Sequence, residues 1–311
     1  MHSRNRHTGR YDFKELTKAN PELAEFVSVN PRNLHGESTI DFANPEAVKA
    51  LNSALLKHFY GITDWDVPPG YLCPPIPGRS DYLHEIADLL SSYNDDVIPR
   101  GKSVRVLDVG VGASCIYPII GHGEYGWSFV GSDVDSTALD SAKRIVQKNK
   151  ELSGAVELRL QTSSTDILNG LITKNEVFDA SICNPPFHAS LAEAQAGSRR
   201  KWNNLGKGVP RSGVAPKLNF GGQDSELWCP GGEVAFVRRM IEQSVEHAKN
   251  VFCFSTLISK EVNLPAVFTD LHRVGAEATT LEMTQGQKKS RVVAWTFLNA
   301  KEQQEWRTKR W

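Results

Sequence analysis

None of the five cysteines in this 311-residue chain forms a C-x-x-C pair, and none has a histidine at metal-ligand spacing. That excludes a zinc site or a disulfide framework as an expectation. Cys183 and Cys253 sit in apolar runs, where a reduced cysteine behaves as a small buried hydrophobe. No apolar stretch approaches the roughly eighteen residues of a membrane helix, so no membrane partner is expected. Net charge is missing too: 36 basic residues balance 36 acidic ones, leaving no bulk attraction to a polyanion. Met1 to Arg10 lacks the apolar centre of a secretory signal, which points to a cytoplasmic protein. Internal repeats and low-complexity tracts are absent.

What is present is an alternation of short apolar runs with helical patterns from Val104 onward. Strands are expected at Val104 to Val109, Trp127 to Ser132, Val156 to Leu160, Val177 to Cys183 and Val251 to Leu257. Ala138, Ala142, Ile145 and Val146 fall at helical spacing between the second and third, and Val234, Val237, Ile241 and Val245 precede the fifth. Two alternating runs, Ala278 to Met283 and Arg291 to Leu298, read as a terminal antiparallel hairpin across Gln285 to Ser290. Five parallel strands and a hairpin make an α/β fold, the Rossmann-like sheet of class I methyltransferases that use S-adenosylmethionine. Upstream, helices are expected at Asn44 to Tyr60, with Asn44 as N-cap and Pro45 at the first position, and at Ser80 to Tyr93. The proline-rich connector Val67 to Gly78 between them should be extended. The organisation expected is a small, helical, basic RNA-binding region over 1–75, a methyltransferase domain over 76–300 and a polar tail over 301–311.

Immediately after the first strand comes Asp108-Val109-Gly110-Val111-Gly112-Ala113-Ser114, whose glycines let backbone turn tightly against a ligand at a helix N-terminus. A dinucleotide fingerprint requires glycine at position 115, where this chain has Cys115. NAD and FAD are disfavoured, whereas a cofactor without pyrophosphate does not demand that glycine. Asp133 lies 25 residues after Asp108, at the tip of the second strand, placed to accept from a ribose diol. Asp135 is the competing choice, and either residue suits an N-cap. Asp166 follows the third strand and lies near the cofactor's adenine by topology alone.

The tip of the fourth strand carries Asn184-Pro185-Pro186-Phe187. A side-chain amide and the carbonyl of the next proline can both accept from a planar amino group, and an aromatic ring can stack on the attached base for about 1–3 kcal/mol. An exocyclic amine is a poor nucleophile until its hydrogens are held so that the nitrogen rehybridises. These four residues are the expected catalytic set, with Asn184 bordering the cofactor as well. Asn-Pro and Pro-Pro also punctuate ordinary turns, so the motif gains its meaning from the glycine loop and acid on neighbouring tips.

Basic residues gather locally. Arg4, Arg6 and Arg10 lie in an acid-free start, and Arg199, Arg200 and Lys201 open an acid-free stretch from Ser198 to Lys217. Lys288 and Lys289 mark the hairpin. The segment 188–229 exceeds an ordinary connection and is expected to be a mobile lid that orders on RNA, with Trp202 clamping a flipped-out base or its backbone.

Several strings are unusual: HSRNRH at 2–7, PPIPGRSDYLH at Pro74 to His84, VGASCIYP at Val111 to Pro118, NPPF, PGGEVAFV at Pro230 to Val237 and TQGQKKSRVVAWTF at Thr284 to Phe297. Over Met1 to Asn299 they resemble the family of 23S rRNA adenine-N6 methyltransferases, which also includes a human enzyme acting on a small nuclear RNA. The resemblance implies S-adenosylmethionine as cofactor and 23S rRNA, or a large-subunit assembly intermediate, as partner. It implies that Arg79 engages the methionine carboxylate with Gly110, Ser114 and Asp133 nearby. Ser163 or Thr162 is implied beside the adenine. Asp108 and Gly112 complete the expected cofactor set, and a monomer is expected. Two other readings remain open at this point: an N-methyltransferase for a protein glutamine or small-molecule amine, and an inactive RNA-binding assembly factor.

Overall fold

Parallel strands cannot be joined by a tight turn, so each apolar run must be followed by a crossover that packs back on the sheet. The computed structural model describes residues 1–29, 37–190, 192–193, 224–285 and 288–311. A short antiparallel pair, β1 (Ser28–Val29) and β2 (Ser38–Thr39), lies near the N-terminus. Among the described residues the main sheet has seven strands: β3 (Arg105–Val109), β4 (Ser128–Asp133), β5 (Val156–Leu160), β6 (Ala180–Cys183), β7 (Phe254–Ile258), β8 (Glu277–Gln285) and β9 (Lys288–Thr296). Their spatial order is β5-β4-β3-β6-β7-β9-β8, parallel from β5 to β7, with β9 antiparallel to both its neighbours.

The described helices are α1 (Phe13–Ala19), α2 (Pro45–Tyr60), α3 (Ile76–Ser92), α4 (Ile116–Tyr125), α5 (Ser136–Lys148), α6 (Asp224–Leu227), α7 (Gly232–Ser244), α8 (Leu264–Arg273) and α9 (Ala300–Arg310). None is long and apolar enough to cross a membrane. Alternation along the strands sends neighbours to opposite faces. Val106, Ile182 and Val292 join one core with Leu55 of α2, Leu83 of α3 and Ile119 of α4, while Leu107, Cys183 and Val293 join a second with Val237 of α7 and Leu271 of α8. Leu16, Leu23 and Ile40 belong to the first of these cores. The described residues before residue 76 hold α1, α2 and the β1–β2 pair, and they pack through a core shared with α3 and α4.

Several boundaries differ from expectation, and β7, expected from Val251, begins at Phe254. Helix α3 starts at Ile76, four residues before Ser80, because Pro77 in a first turn forfeits no helical hydrogen bond. The strand expected from Val177 begins at Ala180, with Phe178 making only an isolated bridge to Val251. In the hairpin, β8 and β9 extend until Gln285 pairs with Lys288, since backbone ladder bonds form between polar residues as readily as apolar ones.

The residues 301–311, expected as a polar tail, form α9, started by a capping box between Asn299 and Glu302. Asp179, wholly buried at the start of β6, is the reason the helix docks. Its carboxylate accepts from the Trp306 and Trp311 indoles at 2.8 Å each, from Arg310 at 2.7 and 2.9 Å and from the Arg105 N–H at 2.8 Å. Removing residues 306–311 strands that carboxylate in the core. Urea unfolding should show a loss of about 3–5 kcal/mol, and a loss under about 1 kcal/mol contradicts this role for the helix.

Candidate active site

Strand β3 is paired on both sides in one register: Val109 faces Ser132 of β4 and Cys183 of β6. The next residue on each strand, Gly110, Asp133 and Asn184, therefore emerges at one level on the carboxyl edge of the sheet, where open α/β folds bind ligands. The glycine loop is tied to the acid. Gly110 and Val111 N–H groups donate to the Ser132 carbonyl at 2.9 and 2.8 Å, and the Gly112 N–H donates to Asp133 Oδ2 at 3.0 Å. Gly110 and Gly112 have φ of +79° and +65°, conformations open to glycine. Cys115, where the dinucleotide fingerprint would place its third glycine, has φ of +52° and stands as N-cap of α4. A side chain there costs about 1–2 kcal/mol.

These tips enclose a cavity of about 490 Å³, within the range of cofactor sites. Arg79, Gly110, Gly112, Ser114, Asp133 and Asn184 all line it. The two candidate acids divide the roles. Asp135 caps α5, accepting from Thr137 and Ala138 N–H groups and from the Tyr71 hydroxyl at 2.6 Å. Asp133 faces the cavity, and burial raises its pKa, opposed by the N–H bonds it accepts from Asp135 and Gly112. Arg79 donates to the Tyr117 hydroxyl at 3.1 Å and lies over that ring.

Asp108 does not line the cavity. It is wholly buried beneath the glycine loop, and neither carboxylate oxygen has a partner among the described residues. Burial pushes its carboxyl well above the ordinary range, the charge of Asp133 adds to this, and Arg79 opposes it. Ser163 also stands back: its N–H donates to Gln161 and its hydroxyl pairs with Thr165 at 3.0 Å, while Ser164, Thr165 and Asp166 form the wall.

In the Asn-Pro-Pro-Phe turn, Asn184 Oδ1 is buried without a partner among the described residues. Pro186 lines the cavity, Pro185 is buried behind it, and Phe187 packs half-buried against the first core. The long segment returns here. His188 N–H donates to the Leu227 carbonyl at 3.1 Å and Cys229 N–H to the His188 carbonyl at 3.0 Å, which brings Trp228 and Cys229 to the cavity wall. Phe236 and Arg239 of α7 complete that side. Sequence reasoning missed Trp228, Phe236 and Arg239. The signal for Phe236 was in the PGGEVAFV string, where a glycine pair opens a helix directly after the segment.

The expected RNA-binding residues fall differently. Arg4 pairs with Asp88, Arg6 with Glu124 at 3.0 Å and Arg10 with Glu37, so the N-terminal stretch is folded down and its charges are matched. Asn5 and His7 are buried, and His7 bonds the Tyr60 hydroxyl at 2.9 Å. Arg199, Arg200, Lys201 and Trp202 lie outside the described residues. Lys288 and Lys289 open β9, and Lys289 is exposed.

A family model described as RNA methyltransferase matches residues 1–299. The chain belongs to this family. Among its relatives, the ribosomal RNA large subunit methyltransferase F of Stutzerimonas stutzeri is 59% identical over all of this chain and 94% of its own length. The protein of that name from Photobacterium profundum is 52% identical, covering 100% and 95%. The catalytic domain of human METTL16, solved with a MAT2A 3′UTR hairpin, superposes with a TM-score of 0.77 at 29% identity, covering 96% of each chain. The N-terminal domain of human METTL16 solved with SAH gives 0.73 at 28% identity over 96% of this chain and 99% of the other. Methyl transfer to RNA from S-adenosylmethionine is the chemistry of this family.

The cavity separates two functions that mutation can resolve. Asp133→Ala should weaken binding of S-adenosylhomocysteine about ten- to hundredfold in calorimetry, the loss of a hydrogen-bonded charged acceptor. Asn184→Ala should leave that affinity within about threefold and lower the turnover number by a factor on the order of 10²–10³. Exchange of the two phenotypes would contradict the placement.

Proposed function

We propose that the chain methylates the N6 amine of one adenine in 23S ribosomal RNA of the large subunit. Its relatives carry the name ribosomal RNA large subunit methyltransferase F, and Gly110, Gly112, Asp133, Asn184 and Pro186 line one cavity. The observation that carries the reading is the buried Asn184 Oδ1, without a partner among the described residues, at the edge of a cavity shared with the glycine loop and Asp133. Buried carbonyl oxygens are rarely left without a donor, and an adenine amino group supplies one.

The residues fit the cofactor on their own chemistry. Gly110 and Gly112 bring bare backbone against a ligand, Asp133 offers a carboxylate for a ribose diol, and Arg79 offers a cation for a carboxylate. S-adenosylmethionine, when bound, supplies an electrophilic methyl group on sulfur. Asn184 and the Pro185 carbonyl accept from the two amino hydrogens, which draws the nitrogen lone pair out of conjugation and orients it. The two prolines fix φ and remove backbone donors, so the carbonyls are not consumed by a sheet ladder. Trp228 borders the space for a stacked purine, while Phe187, half-buried against the first core, follows the turn outside the cavity lining. Preorganised acceptors and proximity carry the rate without a dedicated base.

The test uses the full chain with methyl-labelled S-adenosylmethionine and 23S rRNA transcribed in vitro. Nucleoside mass spectrometry should find N6-methyladenosine at one position, and rising salt should depress kcat/KM steeply, as counterion release from phosphates requires. Label in a protein glutamine or a free small-molecule amine, with none in RNA, would contradict the proposal. So would RNA binding without turnover.

A further inference from the structure

The cavity wall has two kinds of lining. Strand tips β3 and β4 contribute Gly110, Gly112 and Asp133, whereas the β6 tip and α7 contribute Asn184, Phe236 and Arg239, joined by Trp228. Arg79 and Arg239 are the only cations among the described lining residues. Arg79 is engaged with Tyr117. Arg239 makes no hydrogen bond or ion pair among the described residues, and its Nε is buried without a partner. Its neighbour on the same helix, Arg238, is paired with Asp270 at 2.8 Å, so α7 does not lack acids within reach in general. The Trp228 indole N–H at the same wall is likewise buried and has no partner among the described residues.

Two buried N–H donors without acceptors among the described residues, one of them the Nε of a half-buried guanidinium, are costly unless a ligand supplies acceptors, and an anion with several oxygens can serve both. Adenine itself is neutral. The anion that accompanies every target base is the phosphodiester of its own nucleotide, and guanidinium is well matched to it. Resting on the function proposed above, we infer that Arg239, with the Trp228 indole N–H, binds a phosphate flanking the target adenosine and so positions the nucleotide whose amine meets Asn184. Arg239 is a substrate-binding residue in this assignment, distinct from the residues that hold the cofactor.

Phosphate-ethylation interference tests it at whichever adenine is the target. Lightly ethylated 23S rRNA transcript is methylated by the full chain, methylated molecules are captured with an antibody to N6-methyladenosine, and depleted ethylation positions are mapped. The wild type should show strong depletion at a phosphate next to the methylated adenosine. Arg239→Met should lower kcat/KM on unmodified transcript about ten- to hundredfold, as expected for losing a charged hydrogen bond. It should lose that one depletion while keeping the others, with S-adenosylhomocysteine affinity unchanged in calorimetry. Arg239→Lys should retain the depletion in weakened form. A wild-type map with no depletion at a flanking phosphate overturns the assignment, as does persistence of that depletion in Arg239→Met. A parallel loss of S-adenosylhomocysteine affinity overturns it by moving Arg239 to the cofactor side. Absence of RNA methylation by the wild type would strike the function itself, an outcome separable from all of these.

Discussion

Everything at the active edge depends on the two-sided pairing of Val109 with Ser132 and Cys183. Neighbouring strands lie about 4.8 Å apart, so three successive tips span roughly 10 Å, the scale on which one ligand can touch all of them. A slip of one residue would turn each side chain to the opposite face. That slip is opposed by the two cores, which take alternate residues of β3: Val106 on one side, Leu107 and Val109 on the other. The register of β3, buried along all but its first residue, thus sets the spacing of the glycine loop, the Asp133 carboxylate and the Asn184 amide.

The distribution of hydrogen bonds separates scaffold from site. Asp179 is as deeply buried as Asp108, yet it accepts from two indoles, a guanidinium and a backbone N–H, and α9 exists around it. Asp108, Asn184, Trp228 and Arg239 have polar atoms with no partner among the described residues, and the last three line one cavity. Cys115 adds a non-glycine residue in the left-handed region at the start of α4. Unpaired buried atoms also occur elsewhere, on His7, Ser141, Ser181 and Thr256, and Asp95 and Asp96 share the left-handed region with Cys115, so what marks the site is the convergence of Asn184, Trp228 and Arg239 on one cavity.

Much of this was legible in the chain because it rests on local rules. β-branched runs gave the strands, Asn44 and Pro45 gave the start of α2, and glycine spacing with Asp133 and Asn184 at successive tips gave the site. What escaped reading depends on long-range partners. The pairing of Arg4 with Asp88 and of Arg6 with Glu124 spans distances along the chain that composition does not reveal, and it folds down the acid-free basic start. The docking of 301–311 hinges on Asp179 more than a hundred residues away. Trp228 reaches the cavity because the far end of a long segment pairs with His188, and neither Ser163 nor Thr162, the two residues expected there, lines the cavity, whose wall is formed by Ser164 and Thr165.

The most direct measurement is a crystal structure of the full chain with S-adenosylhomocysteine and an RNA fragment containing the methylated site. The target adenine amino nitrogen should lie within hydrogen-bond distance of Asn184 Oδ1 and the Pro185 carbonyl, facing the cofactor sulfur. A base bound elsewhere, with Asn184 Oδ1 satisfied by the protein's own donors, would contradict the central claim.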